Sequence, residues 1–136
     1  MPAAADLVTY LDPLLAGYTA GVNLFKGPPP EDPDVCICVQ QYGGEAAEDR
    51  VMAPSLQAPG IEVAHVQITV RNPSQSAAEA DALLVHGLLD NYGPGQLSGR
   101  TYFNIESIDG EPYSLGQDAN LLWEIVANYR VQKGRG

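Results

Sequence analysis

Basic residues are scarce in this sequence. Seven Lys and Arg stand against seventeen Asp and Glu, a formal net charge of −10. Duplex nucleic acid is a polyanion gripped chiefly by Lys and Arg, so the balance excludes a nucleic-acid clamp and leaves repulsion or simple solubility. A small basic excess sits only at the end, in Arg130, Lys133 and Arg135. Long apolar runs are missing too: nothing approaches the ~18 residues a membrane-spanning helix needs. The first residues, Met1-Pro2-Ala3-Ala4-Ala5-Asp6, have neither the basic nor the apolar region of a secretory signal, so cytoplasmic synthesis is expected. Cysteine is limited to Cys36 and Cys38. Two apart on an expected strand, they point the same way. Such a pair makes a poor staple, and two ligands do not make a zinc site; the expected role is small core hydrophobe.

Chemistry is also thin. There is no GxSxG, P-loop or GxGxxG, and His65 and His86 belong to no ligand-spaced motif. His86 is expected on the solvent side of a helix and His65 at a strand irregularity. Gly93-Pro94-Gly95 follows a helix rather than opening one, so it reads as a terminator. The acidic run Glu31-Asp32-Pro33-Asp34 lacks the twelve-residue calcium-loop pattern and reads as a solvated turn. No nucleophile–base pair can be named, so the expectation is no enzyme, no cofactor and no metal.

What the chain does contain is enough apolar residue for one core: 45% hydrophobic and 18% charged over 136 residues. A first helix over 3–16 carries Leu7, Val8, Leu11 and Leu15 at helical spacing. Pro13 either kinks it or stands first in a second short turn capped by Asp12. A brief extended run at 22–25 leads to the stiff Pro28-Pro29-Pro30 connector. Strands are expected over 35–42, 61–71, 100–109 and 121–132. The second has a parity fault, Ile61 and Val63 against Val66, Ile68 and Val70, which a bulge near Ala64-His65 would repair. Ser76-Ala77-Ala78-Glu79 reads as a capping box opening a helix, with Ala77, Ala80, Leu84 and Leu88 on one side and Glu79, Ala82, His86 and Asp90 on another. Residues 112–120 read as a loop.

The resulting fold class is α/β (α+β): residues 1–136 as a single domain in the order α-β-β-α-β-β. A four- to five-stranded, mostly antiparallel or mixed sheet carries two main helices packed on one face, with a flexible basic tail at 133–136. Leu84, Leu88, Val66, Ile68, Val70, Trp123 and Ile125 are the expected core.

Two features point to assembly. Residues 43–60 form a stretch far longer than a hairpin join of ~2–5 residues, and Gly43, Gly44, Glu45, Glu48, Asp49 and Arg50 are its candidate contacts. The last strand, about 40 Å at ~3.3 Å per residue, is longer than a small sheet requires and would leave unpaired amides at an edge. Asn128, Tyr129 and Arg130, with Tyr102 and Tyr113 nearby, are therefore the expected subunit boundary. Tyr and Trp are enriched at such contacts, although core packing also accounts for them.

The order of pieces resembles the tail terminator and minor capsid proteins of long-tailed (siphovirus-type) bacteriophages. The resemblance runs from Leu24 to Gln132. It begins with a short helix, Leu24-Phe25, a proline-rich turn and the 35–39 strand. Gly43-Gly44, Ile61-Glu62-Val63, Val66-Gln67-Ile68-Thr69-Val70-Arg71 and an Ala/Leu helix from Ala77 follow. Leu115-Gly116-x-Asp118 and Asn128-Tyr129-Arg130-Val131 close it. The resemblance implies a virion protein that forms a homo-hexameric ring, caps the tail tube, ends its polymerisation and joins it to the head–tail connector or neck protein. It also implies that DNA passes through the channel without specific binding. The alternatives are a head-completion or neck adaptor protein, or a small ligand-binding domain with the 43–60 stretch as a lid.

Overall fold

The computed structural model describes residues 2–45 and 61–134. Helix α1 (Pro2–Leu11) buries Ala3, Ala4, Leu7, Val8 and Leu11 along one side. It stops rather than kinks at Pro13, because proline offers no amide to continue the ladder and its ring disfavours helical backbone before it. The chain then turns back through Leu15 N–H to Leu11 O at 3.0 Å. The Asp12 carboxylate caps no second helix there and accepts from Ala20 N–H instead.

Strand β1 (Leu24–Lys26) runs parallel to β2 (Cys36–Glu45) at one margin of a mixed sheet. The proline-rich connector between them is held from below by Arg71. Its buried guanidinium donates to the carbonyls of Glu31, Pro33 and Asp34, the Pro33 bond at 2.6 Å. Next come β3 (Ile61–Asn72), α2 (Gln75–Leu89), β4 (Gly95–Leu97), β5 (Arg100–Ser107), β6 (Tyr113–Gln117) and β7 (Trp123–Gly134). The sheet order is β1-β2-β3-β7-β5-β4, with β6 also paired to β7.

Several expectations are corrected here. The final strand is not an edge. β7 pairs with β3 along its whole length, from Ile61↔Gly134 to Asn72↔Trp123, while β5 and β6 share its other side. Residues 112–120 contain β6, and β4 makes a further short strand, so the described sheet has seven strands rather than four or five. Gly43, Gly44 and Glu45 end β2 instead of starting a loop; Glu48, Asp49 and Arg50 lie outside the described residues. The bulge anticipated in β3 is absent, and Ile61 and Val63 keep the face opposite Val66, Ile68 and Val70; the irregularity is on the partner strand. β2 slips between Gln41 and Gly43, opposite Val66 and His65, while β3 itself stays in step with β7.

The core follows from register. Ile37, Val70 and Ile125 lie in one row, Val39, Ile68 and Ala127 in the next, and Ala64, Val131 and Ile105 in another. α1 and α2 both pack onto this face, as their buried residues share one cluster with these rows. The opposite face is partly covered as well, with Cys36, Cys38, Thr69 and Val126 buried.

α2 differs from its expected form at both ends and in rotation. Its N-cap is Ser74, whose hydroxyl accepts from Ala77 N–H at 3.3 Å, two residues before the anticipated box. Ser74→Ala should therefore cost about 1 kcal/mol, read as a lower urea midpoint, whereas Ser76→Ala should change little. The stop is made by Asn91 in left-handed backbone (φ 63°) ahead of Gly93. The buried side is Ala78, Ala82, Val85 and Leu89. Leu84 is exposed and Leu88 only packs against the margin.

Candidate assembly surfaces

Most groups that might perform chemistry are spent on internal bonds. Asp6 on α1 accepts from Arg100 (2.9 Å) and from the buried Tyr102 hydroxyl on β5. Burial first, and then the Asp6 carboxylate, push the Tyr102 phenol well above its ordinary range. Lys133 Nζ lies 3.1 Å from Glu62 Oε1. His86 does not project into solvent as expected: its Nδ1 meets Tyr129 Oη at 2.9 Å and its Nε2 lies 3.6 Å from Asp90. Asp90 in turn accepts from Ser107 N–H, so this group ties α2 to β7 and β5. The two thiols are buried with Sγ atoms 3.9 Å apart. The hydrogen bond to the neighbouring Cys36 sulfur, and then burial, hold Cys38 above the usual thiol range. Among the described residues no cluster of His, Cys, Asp or Glu could hold a metal ion, and no helix is long and apolar enough to cross a membrane.

The residues expected at a subunit boundary divide. Tyr102 and Tyr129 are fully buried and belong to the core. Asn128, Arg130 and Tyr113 meet on the sheet face away from the helices. There Asn128 bonds Gln67 (3.1 Å), donates to Asp109 (2.8 Å) and reaches the Tyr113 hydroxyl (3.3 Å), while Arg130 pairs with Glu106 at 3.5 Å. His65, against Tyr42 with ring centroids 5.8 Å apart, lies on the same face.

Exposed apolar side chains mark surfaces that the sequence reading missed. α2 turns Leu83 (58% exposed) and Leu84 (51%) outward, on the side opposite its buried stripe. Leu83 borders a shallow cleft closed by Glu79, Glu111 and Pro112. On the other side of the molecule, α1 and β1 leave a groove of about 360 Å³ lined by Ala5, Val8, Thr9, Leu24, Phe25 and Lys26. Leu115 on β6 and Leu121 before β7 are also exposed, Leu121 in left-handed backbone rather than in the strand. Helical spacing could have disclosed the α2 surface, because its leucines and alanines exceed what one buried stripe needs.

This architecture has a counterpart among solved structures, in the virion of a native gene transfer agent particle. The match has a TM-score of 0.58 at 14% identity and covers 85% of this chain and 81% of that one. No curated protein matches the sequence. The family described as bacteriophage tail terminator protein matches residues 10–134, which takes in α2 and every described strand but only the last two residues of α1. The chain belongs to the bacteriophage tail terminator family.

Proposed function

We propose that this protein caps the tail tube of a phage-type particle as a homo-hexameric ring, ends tube polymerisation and presents the joining surface to the head–neck connector. The family match over residues 10–134 carries this reading. Two physical features agree with it. Most of the polar interior is bonded to itself while large aliphatic side chains face outward, the reverse of an active-site design and the usual state of a subunit removed from its assembly. Four of the five described cations are also committed: Arg71 to carbonyls, Arg100 to Asp6, Arg130 to Glu106 and Lys133 to Glu62. With a net charge of −10, such a ring would let DNA pass without holding it.

Native mass spectrometry and electron microscopy of purified protein mixed with tail tube protein test this. A discrete hexamer and tubes of restricted length are expected; a monomer that leaves tube length unchanged would reject the proposal. The 43–60 stretch is part of the same reading as an assembly contact. Replacing residues 46–60 with a short Gly-Ser linker should leave the circular dichroism spectrum intact and abolish ring or tube association. Normal tails after that replacement would remove the stretch from the contact.

A further inference from the structure

We propose that the ring is built by a head-to-tail contact in which the outward face of α2 on one copy seats in the α1–β1 groove of the next. This rests on the ring reading above and adds which two surfaces meet. Ala80, Leu83, Leu84 and Gly87 follow i, i+3, i+4, i+7 spacing, so they form a second stripe, turned away from Ala78, Ala82, Val85 and Leu89. A helix with two such stripes on opposite sides is built to be covered twice. The sheet covers one, and the other is open, with Leu83 and Leu84 as its largest members.

Charge selects the occupant. The Leu83 side of the stripe is rimmed by exposed Glu79 and, across the cleft, exposed Glu111. A two-fold pairing of α2 with α2 would bring no Lys or Arg to these carboxylates, because the helix contains none. The α1–β1 groove has the complementary character, apolar along Ala5, Val8 and Phe25 with exposed Lys26 at its rim.

Position excludes the same contact within one chain. The Tyr10 ring packs at a tilt against Tyr92 and the Tyr18 hydroxyl bonds Asp81, so α1 and the turn after it occupy the flank of α2 away from Glu79 and Leu83. Ala5 and Thr9, which line the groove, lie on the flank of α1 away from Tyr10. The stripe and the groove therefore face outward on opposite sides of the helical layer. A contact between two different patches propagates from copy to copy and closes when the rotation allows, which is what a ring requires.

Charge reversal in the full-length protein tests the pairing, with assembly followed by sedimentation velocity and native mass spectrometry and folding by circular dichroism. Lys26→Glu alone, and Glu79→Lys with Glu111→Lys, should each yield folded protein that no longer forms rings. Combining all three substitutions should restore them. Lys26→Gln and Glu79→Gln serve as milder versions, each raising the assembly midpoint concentration by roughly tenfold. Wild-type rings that are indifferent to Lys26→Glu, or a triple variant that stays monomeric, would overturn the contact and leave the ring intact as a reading. Wild-type protein that remains monomeric even beside tube protein would remove the ring itself.

Discussion

Replacing Glu62 with Ala is expected to cost about 3–5 kcal/mol of folding stability, seen as a large fall in the urea midpoint with the slope unchanged. Lys133 is only 1% exposed, although it lies one residue from the end of β7. Register places it between Glu62 on β3 and Tyr102 on β5, so all three side chains share the core face. Glu62 Oε1 lies 3.1 Å from the ammonium, whose contact with the Gly134 carbonyl is longer, at 3.4 Å. Removing Glu62 leaves a buried cation with a weak partner, and desolvation then acts without compensation. The reciprocal change should be mild. Lys133→Met preserves much of the side-chain volume, and the partly exposed Glu62 carboxylate can turn to water, so about 1 kcal/mol or less is expected. Equal losses for the two variants would show that packing, rather than the buried charge, governs this end of the sheet.

This pair also shows why part of the fold was hidden in the sequence. Lys133 looks there like one residue of a basic tail, and Glu62 like a polar interruption between Ile61 and Val63. Only the long β3–β7 register brings them together. The same holds for Asp6 and Arg100, whose ion pair links residues 94 apart in the chain. Local pattern exposed the alternation of β7, the existence of α2 and the parity fault in β3. It could not show that β7 is central, because neighbours in a sheet are chosen by non-local pairing. The parity fault is real and stays unrepaired: Ile61 and Val63 keep the face away from the helices, and the slip at Tyr42 on β2, opposite His65, leaves β3 itself regular.

The candidate site was legible to a similar degree. Tyr129 is expected at the boundary because it lies on the long final strand, and Tyr102 because it is an aromatic residue nearby. Each hydroxyl has an interior partner, Asp6 for one and His86 for the other, and those partners allow both rings to be buried. Asn128, Arg130 and Tyr113 do share a face, as alternation along β7 requires. β6 is hidden in the sequence because its five residues, Tyr113–Gln117, give only one short alternation, Tyr113 and Leu115 about Ser114, before Gly116.

The rotation of α2 yields the other large expected effect. Leu89→Ala should cost about 2–5 kcal/mol, while Leu84→Ala, five residues earlier on the same helix, should stay within about 0.5 kcal/mol. Sequence periodicity cannot decide between these leucines, since Ala77, Ala80, Leu84 and Leu88 form as good a stripe as Ala78, Ala82, Val85 and Leu89. Packing decides: Ala78 and Ala82 let the helix approach β3 and β7 closely, and Val85 and Leu89 fill the space beyond. Bringing the leucine-rich side inward would push the helix away and break the His86–Tyr129 and Asp90–Ser107 bonds that fix its rotation. Urea denaturation of the monomer measures folding, and native mass spectrometry measures assembly. Leu89→Ala should lower the first midpoint sharply. Leu84→Ala should spare it and weaken the ring, because its side chain lies on the outer stripe. Comparable denaturation midpoints for the two variants would mean that the helix faces the sheet in another rotation, and that the outward leucines are not a docking surface.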